Sequence, residues 1–397
     1  MYMATRARRI TFSIALFACI AASAQLQSYS LDFELSRTRF ADTIRVRYED
    51  GRLLVPVSIG GRQYNFLLDT GASHAVVYDD AMIKGCAPLG KIPSNDSNNR
   101  RDTVQIVRLP TLRLGSLSLR NCRATVQHRR IKETNVDGIL GFDLVNKGLL
   151  MKIDVRRGCL ILTDLKRHFD GDDGYVMKYR LNFHVPYIEV TPFQKYREWV
   201  LFDTGSRRLY SINSNRFAEN EHRMVNRKQI EGRSRGSISI GYSGAEAMGE
   251  VVFLALDDLQ MGDCSFTDLH VITTQGNSHI GAAILKHGAV TFNPLRKEIR
   301  FQPYNGHKTI KVNNPRREKA IVPDQKGRPM IGLLWEKGDL YKNGFRVGDV
   351  ILAVDGQATG SIDDYNSRFR PIRNYEHTFT IKDAKGHLKE LRAIWLK

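Results

Sequence analysis

Residues 65–73 read NFLLDTGAS and residues 199–207 read WVLFDTGSR. In each stretch a short apolar run, typical of a buried strand, leads directly into the tripeptide Asp-Thr-Gly. A single Asp-Thr-Gly after an apolar run is a common turn and carries little functional information. Two copies on one chain indicate an internal duplication, and further matches along the sequence can test it.

Three further markers recur downstream of each copy, in the same order. They are LGS at 114–116 and MGD at 261–263, ILG at 139–141 and HIG at 279–281, and the stretches 153–162 and 292–301. Between these markers both copies read as short β-branched and aromatic runs bounded by Gly, Asn, Asp and Ser, which is typical of strands. Helical candidates are confined to 143–147 and 282–287, at equivalent places. The sequence therefore predicts a mostly β fold with two lobes, 25–165 and 166–303.

The two aspartates of these tripeptides, Asp69 and Asp203, are the predicted catalytic pair. Two carboxylates a few ångströms apart cannot both ionise comfortably, so they hold one proton between them. The ionised carboxylate can draw a proton from a water, while the protonated one polarises a peptide carbonyl. A proton then passes to the leaving nitrogen. This chemistry requires no metal ion and no other cofactor, and we expect none.

Further residues are predicted to support the pair, from the two turns and from the apolar-apolar-Gly markers. They are Thr70, Gly71, Ala72, Ile139, Leu140, Gly141, Thr204, Gly205, Ser206, Ile280 and Gly281. The glycine of each tripeptide allows a tight bend that brings N–H groups near the carboxylates. The threonine hydroxyls can tie the two turns together.

The two turns differ at the residue after the glycine, which is Ala72 in the first and Ser206 in the second. A Ser hydroxyl can hydrogen-bond the neighbouring carboxylate and favour its ionised form. We therefore expect Asp203 to be the more acidic partner and Asp69 to hold the proton more often.

The paired Asp-Thr-Gly turns and their apolar-apolar-Gly markers resemble those of the retropepsin and pepsin aspartic peptidases. More closely, the chain resembles bacterial retropepsin-like proteins that carry two lobes on one chain and a C-terminal PDZ domain. Over about residues 45–303 the resemblance implies closed β-barrel lobes, a cleft between them and a hairpin flap over the cleft. His279, at the first apolar position of the second marker, departs from the family pattern.

Glycine-rich hairpins between each aspartate and its Gly marker are candidates for the flap. In the second copy, residues 232–249 are rich in glycine, and we expect Gly241 and Tyr242 at a flexible tip. In the first copy, residues 94–102 are polar. Either segment could instead be an ordinary surface loop.

The polar, proline-containing stretch 302–326 marks a change of domain. Beyond it, residues 337–356 read KGDLYKNGFRVGDVILAVDG, which resembles the PDZ pattern of a short helix, a Gly-Asp turn and a strand that ends in Asp-Gly. The resemblance implies a PDZ domain over 305–397, a β-sandwich with helices. The segment expected to accept a peptide or a C-terminus by strand addition is Met330, Ile331, Gly332 and Leu333. Use of this domain as a lid or spacer is the alternative.

The first 24 residues predict a signal peptide. A basic start precedes the apolar run 10–21, and Ala-Ser-Ala at 22–24 supplies a cleavage site. The run is too short to span a bilayer. Cys19 is the alternative signal, since it could carry a lipid anchor. Both readings predict export, to the periplasm or the medium, or attachment to the cell envelope.

Four more cysteines remain after export, and they are Cys86, Cys122, Cys159 and Cys264. An even number in an oxidising compartment permits two disulfides, with three possible pairings. Four buried free thiols are the alternative.

The net charge of +18 raises the question of nucleic-acid binding. The basic residues are scattered, without a basic helix or the interleaved aromatic residues of a base-stacking surface. We therefore expect polypeptide substrates and no nucleic-acid partner. The predicted function is an aspartic endopeptidase whose PDZ domain recruits or gates substrate. The alternatives are a non-catalytic, peptide-binding envelope adaptor with the same fold and, more weakly, a polyanion-binding envelope protein.

Overall fold

Strands account for 52% of the structure and helices for 10%, so the fold is mostly β, as predicted. The computed structural model describes residues 31–395 apart from 79, 96–100, 128–135, 224–226, 242–243, 370 and 373. The predicted signal peptide, with Cys19, and Tyr242 therefore lie outside the described residues.

Fourteen strands precede residue 164, and we call them the first half. They are β1 (Glu34–Leu35), β2 (Ala41–Arg45), β3 (Arg47–Glu49), β4 (Arg52–Ile59), β5 (Arg62–Leu68), β6 (Ala75–Val77), β7 (Ala87–Asn95), β8 (Arg101–Arg108), β9 (Leu112–Leu114), β10 (Leu117–Arg120), β11 (Arg123–Val126), β12 (Gly138–Leu140), β13 (Leu150–Asp154) and β14 (Cys159–Thr163). Eleven of them form one sheet, in the order β1-β10-β9-β4-β5-β12-β6-β11-β8-β7 with β3 against β4. In β4, Val55, Val57 and Ile59 are buried while Pro56 between them is exposed. This two-residue alternation is typical of a strand with one face on the core.

Fifteen strands follow, and we call them the second half. They are β15 (Tyr175–Asn182), β16 (Val185–Phe193), β17 (Tyr196–Asp203), β18 (Tyr210–Asn213), β19 (Ile230–Gly236), β20 (Ile240–Gly241), β21 (Gly244–Ala245), β22 (Gly249–Leu256), β23 (Leu259–Met261), β24 (Cys264–Thr267), β25 (Leu269–Thr274), β26 (His279–Gly281), β27 (Gly288–Asn293), β28 (Glu298–Pro303) and β29 (Thr309–Lys311). All but β20 and β21 join a sheet of sixteen strands that also takes in β2, β13 and β14.

Both halves contribute to a seam of six strands in the order β2-β14-β13-β27-β28-β15. At its centre β13 pairs antiparallel with β27, so that Ile153 lies opposite Val290. The hairpins β13–β14 and β27–β28 contain the third pair of sequence markers. The matching segments of the two copies are therefore joined edge to edge.

Strand pairing around each Asp-Thr-Gly turn follows the same pattern in both halves. β12 runs parallel to β5 and antiparallel to β6, and β11 runs parallel to β6. Likewise β26 runs parallel to β17 and antiparallel to β18, and β25 runs parallel to β18. Each aspartate therefore lies at the end of a central strand flanked by its apolar-apolar-Gly marker.

Helices are short and few among the described residues. They are α1 (Asp80–Ile83), α2 (Asp143–Asn146), α3 (Ser214–Asn220), α4 (Asp339–Lys342) and α5 (Ile362–Arg368), with 3₁₀ turns at Glu221–Arg223, Arg227–Gln229 and Ala282–Lys286. The two helical candidates of the sequence thus correspond to α2 and to the third 3₁₀ turn.

Three phenylalanines join the halves beneath the seam. Phe292 packs edge-on against Phe142 and Phe202, with ring centroids 5.4 Å apart in both pairs, and all three rings are fully buried. Phe142 directly follows Gly141, and Phe202 directly precedes Asp203. Each such aromatic pair contributes about 0.5–1.5 kcal/mol beyond the burial of its surface.

The last six strands form a separate sheet, which we call the C-terminal sheet. They are β30 (Lys319–Pro323), β31 (Pro329–Leu334), β32 (Val350–Val354), β33 (Gln357–Ala358), β34 (Glu376–Lys382) and β35 (Leu388–Ile394). This sheet and its helices α4 and α5 have their own core, centred on Phe345, Phe379 and Trp395.

All four cysteines among the described residues are free thiols. Cys122, Cys159 and Cys264 are buried and Cys86 is half-buried. Of the two alternatives left open by the sequence, the structure therefore has the unpaired one.

Candidate active site

The two Asp-Thr-Gly turns lie together, each held by its central strand. In the first half, the Asp69 N–H donates to the carbonyl oxygen of Leu140 over 3.0 Å. In the second half, Asp203 pairs with Gly281 in the parallel β17–β26 ladder. The apolar-apolar-Gly markers thus fix where each strand ends and where each aspartate stands.

Thr70 and Thr204 lock the turns to each other. The N–H of each donates to the hydroxyl of the other, over 3.0 Å in both directions. The Thr70 hydroxyl donates to the carbonyl of Phe202 over 2.5 Å, and the Thr204 hydroxyl donates to that of Leu68 over 2.7 Å. Both threonines are fully buried. Every donor of the two side chains is therefore used to join one half to the other.

The carboxyl groups of Asp69 and Asp203 are within hydrogen-bonding contact. The N–H of Gly71 donates to Asp69 Oδ1 and that of Gly205 to Asp203 Oδ1, both over 2.8 Å. Each aspartate keeps part of its surface open to solvent. The pair can therefore be reached by water while its orientation is fixed by the backbone.

Each turn glycine also lies against the carboxyl group of the opposite turn. A Cβ atom on Gly71 would stand 2.7 Å from Asp203 Oδ1, and one on Gly205 would stand 2.5 Å from the Cγ atom of Asp69. Side chains do not tolerate such distances. Glycine is required here because it lets the two acids approach.

Each of the two carboxyl groups affects how tightly the other holds a proton. Burial, followed by the charge of Asp203, raises the pKa of Asp69 well above its usual value. Burial also raises the pKa of Asp203, but the hydrogen bond with Asp69 and the N–H groups of Gly205 and Ser206 act against it. Burial and mutual contact therefore favour a state in which the two carboxyl groups share one proton.

The Ser206 hydroxyl has a different partner from the one that we predicted. It lies 2.8 Å from Nε2 of His279, whose Nδ1 lies 2.8 Å from the carbonyl oxygen of Asn277. A carbonyl can only accept, so Nδ1 carries the hydrogen and Nε2 accepts from Ser206. The contact from Ser206 to Asp203 comes instead from its N–H, over 3.3 Å. The predicted hydroxyl–carboxylate bond is therefore wrong, and the backbone does not distinguish the two acids, because the N–H groups of Gly71 and Ala72 lower the pKa of Asp69 as those of Gly205 and Ser206 lower that of Asp203.

The glycines of the apolar-apolar-Gly markers pack closely against the residues that follow the Asp-Thr-Gly turns. A Cβ on Gly141 would stand 2.7 Å from the backbone of His74, and one on Gly281 would contact the carbonyl oxygen of Arg208. Leu140 and Ile280 are buried and Ile139 is half-buried. Beyond the glycines, Phe142 N–H donates to Ala72 O and Ala282 N–H to Ser206 O, over 2.8 and 2.7 Å.

The flap candidates occupy equivalent hairpins. The first is β7–β8, whose tip at 96–100 lies outside the described residues. The second is β19–β22, with Gly241 at the end of the short strand β20. Its glycines Gly232 and Gly236 are not at a free tip, because they pack against Trp335 and Gly332. These two residues belong to the C-terminal sheet and the segments directly next to it, which together we call the C-terminal unit. Glycine serves close approach here, whereas the sequence suggested flexibility.

The predicted peptide-accepting segment forms most of β31. Ile331 and Leu333 are fully buried, and Met330 is half-buried. The carbonyl of Gly332 accepts a hydrogen bond from the N–H of Ser237 over 2.8 Å. This part of the segment is therefore in contact with the chain's own second half.

Three residues near the pair escaped the sequence analysis as functional candidates. The Tyr48 hydroxyl donates to the carbonyl of Ala282 over 3.0 Å and so crosses between the halves. Tyr187 is close enough for the Asp203 charge to raise the pKa of its phenol, after the larger effect of burial. Asp143 is a half-buried acid at the start of α2, and burial raises its pKa to about 7. Only strand register places the tyrosines there, and no motif marks them.

Comparison with known proteins gives one match at the level of sequence families. A family model described as aspartyl protease matches residues 55–144, from β4 to α2, and this stretch contains Asp69. The match supports an aspartic peptidase fold for that stretch. Among curated proteins no sequence matches the chain.

Similar solved structures include an aspartic proteinase from Irpex lacteus and the basic 7S globulin from soybean. The first has a TM-score of 0.43 and 14% identity, over 66% of this chain and 97% of that one. The second has a TM-score of 0.43 and 12% identity, over 66% of this chain and 94% of that one.

Among the residues that the structure describes, no cluster of three or more His, Cys, Asp or Glu side chains is arranged to hold a metal ion. Within the same residues, no helix has the length and apolar character needed to cross a membrane.

Proposed function

We propose that the chain is an aspartic endopeptidase that hydrolyses peptide bonds of extended polypeptides. One observation carries the proposal. Asp69 and Asp203 stand in contact on two turns that Thr70 and Thr204 lock together. The family match over residues 55–144 supports it.

In the proposed reaction the two acids have different tasks. Asp203, the more acidic member, is the general base that takes a proton from the attacking water. Asp69 holds the shared proton and donates a hydrogen bond to the scissile carbonyl, so that negative charge can develop on that oxygen. As the water oxygen bonds to the carbonyl carbon, the proton of Asp69 passes to the carbonyl oxygen, which gives a neutral tetrahedral diol and leaves one proton on Asp203. On collapse the C–N bond breaks as Asp203 gives its proton to the nitrogen, and a diol hydroxyl returns a proton to Asp69, so that one proton again remains between the acids.

The N–H groups of Gly71 and Gly205 serve this cycle without taking part in proton transfer. Each N–H donates to the Oδ1 atom of one aspartate and stabilises the negative charge of that carboxylate when it is ionised. Since the turns are locked, the acids require little reorganisation during the reaction.

The remaining parts of the proposal rest on the sequence. We propose that residues 1–24 direct export and that the mature protein acts in the periplasm or outside the cell, with a lipid anchor at Cys19 as the alternative. We also propose two retropepsin-like lobes, to which the repeated strand pairing around each turn lends support. A PDZ domain over 305–397 is supported by the separate C-terminal sheet and core.

The decisive test uses the purified mature chain and a library of internally quenched peptides. We expect cleavage that is lost in Asp69→Asn and in Asp203→Asn, and that a statine-type mimic of the tetrahedral diol inhibits. Asp263→Asn, at an exposed turn of the second half, is the matched control and should keep full activity. The loss in the two site variants should be at least about 10²-fold.

Two outcomes would contradict the proposal. Cleavage that survives in both site variants would assign the activity to another nucleophile or to a contaminant. If the wild-type chain binds library peptides but cleaves none of them at any pH from about 3 to about 8, the result would favour the non-catalytic adaptor.

A further inference from the structure

The C-terminal sheet touches the second half where three glycines meet. Ser237 N–H donates to Gly332 O over 2.8 Å, and a Cβ on Gly332 would stand 2.6 Å from the carbonyl oxygen of Ser237. A Cβ on Gly236 would contact the carbonyl oxygen of Gly332, and one on Gly232 would stand 2.8 Å from Trp335 Nε1. Backbones approach this closely only where side chains are absent. The contact is therefore specified by the sequence on both sides.

Apolar and charged groups surround this backbone contact. A buried cluster combines residues of the second half with residues of the C-terminal unit: Ile238, Val251, Phe253 and Ile272 with Ala320, Leu333 and Trp335. Beside it, the Glu231 carboxylate pairs with Arg316, and its other oxygen lies 2.9 Å from His270 Nδ1. Lys337 Nζ donates to the carbonyl of Glu231 over 2.9 Å. The two units therefore share a packed core and are not joined only by a linker.

The segment that follows Ser237 folds around a buried carboxylate, Glu246. The Ile238 N–H donates to Glu246 Oε1, and the Ser239 hydroxyl donates to Oε2, each over 2.7 Å. The carbonyl oxygen of Ile238 accepts from the guanidinium of Arg208 over 3.1 Å. Glu246 acts electrostatically on both Arg208 and Arg317, and Arg317 belongs to the C-terminal side of the contact. Glu246 thus holds the segment whose Ile238 carbonyl binds Arg208.

Arg208 is also part of the structure that holds Asp203. It follows the Asp203 turn directly, and Gly281 packs closely on its carbonyl oxygen. Gly281 in turn pairs with Asp203 in the β17–β26 ladder. Burial and the charge of Arg317 lower the pKa of Arg208 to about 9, while Glu246 opposes that shift. A continuous set of contacts therefore runs from β31, through residues 236–238 and Arg208, to the second turn.

We propose that residues 236–239, which Glu246 holds in place, are an internal ligand of the C-terminal sheet and that, through Glu246 and Arg208, they position the Asp203 turn. In this arrangement the N–H of Ser237 donates to the Gly332 carbonyl. That carbonyl lies in the segment that the sequence predicted to bind an external peptide. Glu246 and Arg208 are positioning residues, since neither is in contact with the aspartate pair. The effect on catalysis rests on the proposed function, whereas the coupling between the two units does not.

The coupling is tested by amide hydrogen exchange on the full chain, which requires no activity. Ser237→Pro removes the N–H that Gly332 accepts, and Ser237→Ala is the matched control because it keeps that N–H. We expect about tenfold faster exchange in Ser237→Pro for peptides covering both 329–335 and 203–213. Peptides covering β9 and β10, at 112–120, should be unchanged, since a general loss of stability would affect these strands as well. Ser237→Ala should exchange like the wild type.

A second pair of variants covers the case in which Ser237→Pro does not fold. Glu246→Gln removes the buried charge that acts on Arg208 and Arg317, and Glu250→Gln alters an exposed carboxylate of β22 as its control. Faster exchange at 203–213 in Glu246→Gln alone supports the proposal. It is overturned if Glu246→Gln leaves 203–213 unchanged, or if Ser237→Pro affects 329–335 only. A wild-type chain without peptidase activity would defeat the proposed function and leave this result intact.

Discussion

Thr70 and Thr204 exchange hydrogen bonds across the two halves of the chain, each accepting the N–H of the other over 3.0 Å. Their sequence positions are 134 residues apart. Reciprocal bonds of equal length require both turns to hold one relative position. The geometry of the aspartate pair therefore depends on two side chains that carry no charge.

Replacement of Thr70 by valine tests this dependence. Thr70→Val keeps the shape of the side chain but leaves the buried N–H of Thr204 and the carbonyl of Phe202 without their partner. We expect a loss of about 1–3 kcal/mol in the free energy of unfolding, measured by denaturant titration. Thr70→Ser retains the hydroxyl and should lose less than half of that. Equal losses in the two variants would mean that packing, and not hydrogen bonding, holds the turns.

The raised pKa of Asp69 predicts how stability depends on pH. The folded state holds this proton more tightly than the unfolded state, so stability falls as the pH rises from the usual carboxyl value of 3.8 through the raised value. Asp69→Asn has no proton to lose and should gain more than about 1 kcal/mol over the wild type at pH 7 relative to about pH 4. Thermal melts across that range measure the difference, with Asp263→Asn as the exposed control. A difference that does not change with pH would show that the folded state does not bind this proton more tightly.

His279 predicts the opposite dependence in acid. Burial, together with the charge of Arg208, lowers its pKa to about 4, although the Asn277 carbonyl works against that shift. As the pH falls from 6.5 to 4, the unfolded state therefore takes up a proton before the folded state does, and stability is lost. His279→Gln can still accept from Ser206 but cannot be protonated, so it should resist this acid destabilisation by about 1–3 kcal/mol.

The control for His279 is a histidine in an exposed position, and His307→Gln provides it. Denaturant titrations at several values of pH between 6.5 and 4 compare the two variants with the wild type. An identical pH dependence in His279→Gln and the wild type would assign the acid sensitivity to other groups.

Gly205→Ala should lower catalytic activity strongly and the free energy of unfolding only moderately. The new Cβ would stand 2.5 Å from Asp69 Cγ and 2.6 Å from its Oδ2, so the acid must move. We expect at least about 10²-fold lower kcat, because small misplacements of a catalytic group are costly. The free energy of unfolding should fall by about 1–3 kcal/mol. Gly171→Ala, where nothing lies within 4 Å of the added Cβ, is the control. Activity retained in Gly205→Ala would mean that the carboxyls do not need this contact.

The sequence predicted the mostly β class and indicated which segments are equivalent, because strands, turns and their order are local properties. The two Asp-Thr-Gly turns could be recognised for the same reason. Contacts between distant segments are different. Nothing in the sequence shows that the Ser206 hydroxyl reaches His279, since that depends on the β17–β26 register.

Glycine was the least informative residue in the sequence. The glycine-rich stretch 232–249 suggested a flexible hairpin, but a glycine also marks a place where another backbone passes closely, as at Gly236, and a sequence does not distinguish these roles. The same holds for the cysteines, because an even number is compatible with both disulfides and buried thiols. For the glycines, the deciding contact lies at a different sheet.

The antiparallel pairing of β13 with β27 has a consequence for how the aspartate pair comes into existence. Because both strands belong to one polypeptide, Asp69 meets Asp203 by a first-order process, and the population of paired acids does not depend on how much protein is present. A site shared between two separate chains would come apart on dilution. Here a single molecule carries the complete pair.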